Sequence, residues 1–229
     1  MSIHDGHRKR LRQRFLQEGL EHFTDVQVLE LVLFYAISRQ DTNPIAHALL
    51  DRFGSLSQVL EASPEELMKV PGVGENAALL LTLIPQMGRF YMVDRSSRVT
   101  ILQTLEQCAN FLVPHFFGRK VETVFILCLD AKCKLLCCKE LGEGGHNSTG
   151  VYIRKIVETA IGVNAATVVL AHNHPSGIAL PSDDDCAATT RAAQALQTIG
   201  VALADHIIVA DDDFVSMAQS GYLTSWEHL

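Results

Sequence analysis

The sequence predicts an α/β domain with a mixed sheet flanked by helices, preceded by a smaller all-helical domain. Three observations carry this. From about residue 100 onward, β-branched apolar runs alternate with stretches of helical spacing, as strands interleaved with helices do. Before residue 95 only helical spacing and helix-start signals occur. Between the two, Asp94-Arg95-Ser96-Ser97-Arg98 is polar and lacks periodicity, which predicts a linker and domains over 1–95 and 100–229.

Composition narrows the function classes. With 229 residues, 48% hydrophobic and 20% charged, the chain can bury an adequate core and has ordinary soluble composition. No apolar run reaches the roughly 20 residues a membrane span requires, since Val26 to Ile37 is interrupted by Glu30. Early charges and no apolar leader argue against a signal peptide. Six cysteines without one predict reduced thiols and a cytoplasmic location. Residues 1–100 hold 11 Lys/Arg against 12 Asp/Glu, and residues 101–229 hold 8 against 14. Bulk charge therefore argues against nucleic-acid binding by the second half.

In chain order, Arg8, Lys9, Arg10, Arg12 and Arg14 crowd the first segment, which reads either as a phosphate-tracking cluster or as a solvated first helix. Thr24-Asp25 starts a helix through Val28, Leu29, Leu31, Val32 and Phe34. Pro44 opens the next, which Gly54 stops. Ser63-Pro64-Glu65-Glu66 is a further helix start. Lys69-Val70-Pro71-Gly72-Val73-Gly74-Glu75-Asn76 then leads into an apolar helix. Two glycines one residue apart permit a tight turn whose N–H groups can accept a phosphate oxygen. The stretch resembles a helix-hairpin-helix, hairpin about 70–76, a motif that grips DNA backbones without reading sequence. Glu75 and the lack of basic residues until Arg89 favour, about as strongly, a hairpin that only packs.

In the second domain, Leu102, Leu105, Cys108, Ala109 and Leu112 predict an amphipathic helix ending at Pro114. Val121 to Leu129 and Cys133 to Lys139 predict a hairpin about an Asp130-Ala131-Lys132 turn, and Glu140 to Gly145 a flexible exit. Cys133, Cys137 and Cys138 fit strand packing better than a metal site. Tyr152 to Ile161 is helical, Thr167 to Ala171 is a strand, and a helix follows Ser182. Leu203 to Val209 and Phe214 to Met217 are short final strands around a solvated Asp211-Asp212-Asp213 turn, which lacks calcium-loop spacing.

The chemistry gathers at Ala166 to Asp185. His172 and His174, two apart in extended backbone, project side by side at a strand end. Two imidazoles and a carboxylate give zinc three ligands and leave one position for water, the pattern of a catalytic site. Such a site lowers the pKa of bound water toward ~7 and polarises a carbonyl. A His-x-His pair alone also serves cupins and amidohydrolases, and two core histidines are a further alternative. Ser182-x-x-Asp185 doubles as a capping box. Asp183 and Asp184 complement a helix dipole. Asp205-His206 reads as a structural pair or as a hold on an imidazole's free N–H. Asn173 and Ser176 either orient substrate or cap the turn.

The spacing His172-x-His174-x₇-Ser182-x₂-Asp185 resembles the JAMM (MPN-type) metalloprotease motif. With AHNHPSG, PSDDD, the DHIIV at 205–209 and FVS at 214–216, and with the PGVG hairpin upstream, nearly the whole chain resembles the RadC family. That resemblance implies a JAMM/MPN domain binding zinc through His172, His174 and Asp185. It implies Ser182 as a hydrogen-bond donor to the developing oxyanion or the bound water. It also implies a glutamate base from an upstream strand, with Glu140 the first choice and Glu143 the second. The implied function is zinc-dependent hydrolysis, activated water attacking a peptide or isopeptide-like amide of a peptide or protein substrate. The alternative is a DNA-associated, repair-linked protein that binds DNA backbone through its N-terminal region, with the metal domain auxiliary. A metal-dependent nuclease and a catalytically decayed scaffold rank below these.

Overall fold

The computed structural model describes residues 3–38, 40–96, 101–143, 149–211 and 213–223. Two compact units divide the chain, Met1–Gly88 and Arg89–Leu229.

The first unit is all helix: α1 (Ile3–Glu18), α2 (Asp25–Ala36), α3 (Asn43–Phe53), α4 (Leu56–Glu61), α5 (Pro64–Leu67) and the start of α6 (Glu75–Ser96). Thr24 and Gln27 close a capping box at α2, and Gly54 ends α3, as the sequence predicts. Ser63 caps α5, which is a single turn. Leu29, Leu33, Leu49, Val59, Leu67 and Leu81 fill the core. The basic cluster of α1 is partly structural. Arg8 donates to the Ile37 carbonyl at 2.7 Å and Arg14 to that of His22 at 2.7 Å. At the hairpin, Gly72 has φ 90°, and a Cβ there would meet Ile45 Cδ1 at 2.7 Å. Conformation and close approach both require glycine at that position. The predicted linker begins inside α6: Asp94, Arg95 and Ser96 continue the helix, while Ser97 and Arg98 lie outside the described residues.

The second unit is a five-stranded mixed sheet with helices on both faces. Its further elements are α7 (Leu105–Leu112), β1 (Thr123–Leu129), β2 (Leu135–Glu143), α8 (Thr149–Gly162), β3 (Thr167–Asn173), α9 (Asp183–Thr198), β4 (Ala202–Ala210) and β5 (Asp213–Ser216). Strand order is β2-β1-β3-β4-β5, with β3 and β4 parallel and the other pairs antiparallel. The parallel pair is joined by α9, the crossover such a pair needs.

Three boundaries differ from the sequence reading. Leu102 precedes the Thr104 cap of α7 and gives its N–H to the Cys133 carbonyl at 2.8 Å. Past Leu112 the chain tightens into a 3₁₀ turn, Val113–Phe116, with Pro114 inside it. Cys133 sits in the β1–β2 turn at φ 58°, and the strand that follows runs on to Glu143. Pairing with β1 out to Thr123 holds Glu140 to Glu143 in the sheet, where a flexible exit was expected. Gly144 and Gly145 lie outside the described residues.

Alternation along the strands separates two cores. Phe125, Leu127, Leu129, Val169 and Ala171 face α7. Ile126, Cys128, Val168 and Leu170 face α8 and α9, packing on Ile156, Ala160, Ala192 and Leu196. Cys108, Cys128, Cys137 and Cys138 are packing residues, whereas Cys133 lies in the turn. Burial pushes the Cys108 and Cys138 thiols up to about 12, and also raises Cys128. No helix among the described residues is long and apolar enough to cross a membrane.

Candidate metal centre

β3 carries Val168, Leu170 and His172 on the face toward α8 and α9, and His174 follows one residue past the strand end. Asp185 reaches the same point from the first turn of α9. Its position is set by Ser182, whose Oγ accepts the Asp185 N–H at 3.2 Å and donates to Asp185 Oδ2 at 2.6 Å. The Ser182 N–H also donates to Oδ2, at 2.8 Å. The predicted capping box therefore aims the acid, and the Ser182 hydroxyl proton is committed to it.

Three ligand atoms converge. His172 Nε2 and His174 Nε2 are 2.8 Å apart, and they lie 3.2 and 3.4 Å from Asp185 Oδ1 and Oδ2 respectively. A tetrahedral ion with bonds of about 2.0–2.1 Å has ligand–ligand edges of roughly 3.3 Å, so the donor set fits one small cation. Among the described residues this is the group of His, Cys, Asp or Glu placed to hold a metal. Burial pushes the Asp185 carboxyl upward. The His172 ring beside it and the hydrogen bonds from Ser182 outweigh that and hold it well below the usual carboxylate range.

Both imidazoles are oriented by what lies behind them. His174 Nδ1 faces the Ile178 carbonyl at 2.9 Å, so Nδ1 carries the proton and Nε2 keeps its lone pair. For His172 the order comes through a buried chain. Thr189 Oγ1 donates to the Asp185 carbonyl at 2.6 Å, which leaves the Thr189 oxygen to accept from His206 Nδ1 at 2.5 Å. His206 Nε2 is then an acceptor, and His172 Nδ1 donates to it at 2.8 Å. The His172 lone pair is left on Nε2, pointing into the cluster. Burial depresses His206 well below the usual imidazole range, which keeps it neutral as the chain demands. Of the two readings of Asp205-His206, His206 thus holds an imidazole. Asp205 instead accepts the N–H groups of His206 at 2.7 Å and Ala218 at 2.9 Å, fixing the turn after β5.

Asn173 also has a framework role. Its Oδ1 accepts the Thr123 N–H at 2.8 Å and its Nδ2 donates to the Val121 carbonyl at 3.2 Å, tying the end of β3 to the start of β1.

Glu140 and Glu143 do not reach the cluster. Glu140 pairs across the sheet with Phe125, which in turn pairs with Ala171. Ala171 is one residue from His172 and on the opposite face, so Glu140 points away from the histidines. Arg119 takes both acids there, at 2.7 Å to Glu140 and 3.2 Å to Glu143, with its guanidinium over the Phe125 ring. The glutamate that shares a face with His172 is Glu122. It is two residues before Val124, the cross-strand partner of His172, and with His172, Asp185 and His206 it lines a cavity of about 80 Å³. Burial, and then the Glu122 charge, raise the neighbouring Tyr152 phenol. Glu122 stands at the head of the Val121–Leu129 run. The strand period would have found it once the β1–β3 register was known.

Comparison with known proteins places these elements. Residues 102–222 match the RadC-like JAB domain family, and residues 6–79 match the UPF0758 N-terminal family. A UPF0758 protein of Bordetella bronchiseptica is 37% identical over 212 residues, 93% of this chain and 94% of that protein. One from Ruegeria pomeroyi is 35% identical over 217 residues, covering 95% and 97%. One from Paraburkholderia xenovorans is 34% identical over 211 residues, covering 92% and 83%.

Proposed function

This chain belongs to the RadC-like JAB domain family, and on that premise we propose that it is a zinc-dependent hydrolase of peptide or isopeptide-like amides. The observation that carries the reading is the convergence of His172 Nε2, His174 Nε2 and Asp185 on one point, with both imidazole tautomers set from behind. Two neutral imidazoles and one carboxylate suit zinc among divalent ions and leave a net positive site. When bound, such an ion supplies Lewis acidity that polarises a carbonyl and acidifies a nearby water.

The chain's own residues do the rest. Glu122, on the same face as His172, is the group assigned to take a proton from the attacking water and return it to the departing amine. Ser182 holds Asp185 in place, since its hydroxyl proton is already committed there. The half-enclosed apolar wall beside the ligands limits water and strengthens these charges. The test is cleavage of a peptide and isopeptide library by zinc-loaded protein, read by mass spectrometry. Cleavage lost on chelation and lost again in Glu122→Gln supports the reading, whereas cleavage that survives both overturns it.

A second reading, contact with DNA backbone, draws on the Pro71–Gly74 hairpin. Gly74 precedes the first turn of α6 with no side chain or backbone within 4 Å of a Cβ placed there, so a phosphate could approach the helix start. Glu75 opposes it. Salt-dependent gel shifts that weaken in Gly74→Val would support this reading, and no shift at low salt would end it.

A further inference from the structure

We propose that the cavity beside the histidines is a specificity pocket, built to take one branched aliphatic side chain of the substrate next to the bond that is cut. This rests on the hydrolase reading above and adds the substrate class. The cavity lies inside the second unit, between the sheet face that carries Val124, Leu170 and His172 and the helices α8 and α9. One end is polar, with Glu122, His172 and Asp185. The remainder is walled by Ile153 and Ile156 of α8 and by Ala188 and Ala192 of α9.

Close-packed interiors rarely leave space of this size, so its origin is informative. Ala188 and Ala192 are one helical turn apart, on the face of α9 that also delivers Asp185. Two alanines there keep open a volume that leucines would fill. Across the gap, Gly142 gives way to the Tyr152 ring: a Cβ on Gly142 would lie 3.1 Å from the Tyr152 hydroxyl oxygen. The small residues of α9 thus keep one side of the space open, and Gly142 of β2 leaves room for the Tyr152 ring that lines it.

Size and lining select the occupant. At about 80 Å³, the cavity is roughly half the ~150 Å³ apolar void that admits benzene. It suits an aliphatic group of three or four carbons better than an aromatic ring. Beyond the polar end its lining is mostly aliphatic, Thr189 and His206 being already bonded to each other and Tyr152 adding one hydroxyl, so a charged or amide side chain would lose most of its hydrogen bonds on entry. A leucine- or valine-sized group beside the reacting carbonyl meets both conditions.

Small hydroxamates separate this inference from the reading beneath it, because the chelating head needs the metal and only the tail needs the pocket. Acetohydroxamate and isovalerohydroxamate are titrated calorimetrically into zinc-loaded protein. The expected result is isovalerohydroxamate binding roughly 50-fold tighter, from burial of its three added carbons, with benzohydroxamate gaining less. In Ala192→Leu the difference between the two alkyl probes collapses. Ala188→Val provides the same test should the larger replacement fail to fold. Equal affinity for both alkyl probes in the unaltered protein overturns the pocket while the metal reading stands. Binding of neither probe overturns both.

Discussion

His206 Nε2 stands 2.8 Å from His172 Nδ1, and this bond, buried beneath the cluster, decides which nitrogen of His172 is free. Replacing His206 removes the acceptor and lets the ring turn or change tautomer. His206→Ala is expected to weaken zinc affinity by about 10- to 100-fold, measured by competition with a chromophoric chelator. Thr189→Val, one bond farther out, should give a smaller loss in the same direction. Unchanged zinc affinity in both variants would show that the chain behind His172 has no part in metal binding.

Glu122 and Glu140 make opposite predictions. Glu122→Gln should lower hydrolysis by roughly 10²–10⁴-fold with zinc content intact, because the carboxylate is not among the converging ligand atoms. Glu140→Gln should retain activity, since that acid is held by Arg119 on the far face. The check is a paired measurement of turnover and bound zinc in the two variants. The reverse pattern would return the base to β2.

Asp205 predicts a pH dependence of folding. Burial raises its carboxyl above the usual value, although the Ser216 hydroxyl and the backbone N–H groups of Ala218 and His206 oppose this. Below the ordinary carboxylate range both folded and unfolded chains carry the proton. As pH climbs from there, the unfolded chain ionises first. The contribution of Asp205 to stability therefore declines until pH passes the raised native value, then levels off. Urea unfolding across this range should show that decline in the wild type relative to Asp205→Asn, in which the group cannot titrate. A difference that does not change with pH would refute it.

Gly72 and Gly74 separate packing from ligand contact in the hairpin. Gly72→Ala must accept φ 90° and displace Ile45, and should cost about 1–3 kcal/mol in chemical denaturation. Gly74→Ala has open space and a permitted backbone, and should be near neutral. Equal effects at the two positions would contradict the geometry.

Much of this was legible from residue order alone. Thr24, Gly54 and Ser182 announce helix ends because caps are local chemistry, and the spacing of His172, His174, Ser182 and Asp185 announces a cluster because one strand and the next helix start lie close in sequence. What the sequence withheld depends on long-range pairing. Glu140 and Glu122 both border strands, and only the register Phe125–Ala171 against Val124–His172 shows which of them shares a face with the histidines. That Asp205-His206 holds an imidazole was one of two readings open in the sequence, and only the parallel pairing of β3 with β4 shows that His206 does so and that the ring is His172. The extension of β2 to Glu143 escaped notice because Gly142 reads as a loop residue until the Tyr152 ring beside it is seen.

The most direct test is metal content. Purified protein equilibrated with zinc and passed through a desalting column should retain about one equivalent per chain, as a single three-ligand site requires. His172→Ala, His174→Ala and Asp185→Ala should each lose most of it while keeping the far-ultraviolet circular dichroism of the parent. Undiminished zinc in all three folded variants would contradict the shared site on which the hydrolase proposal stands.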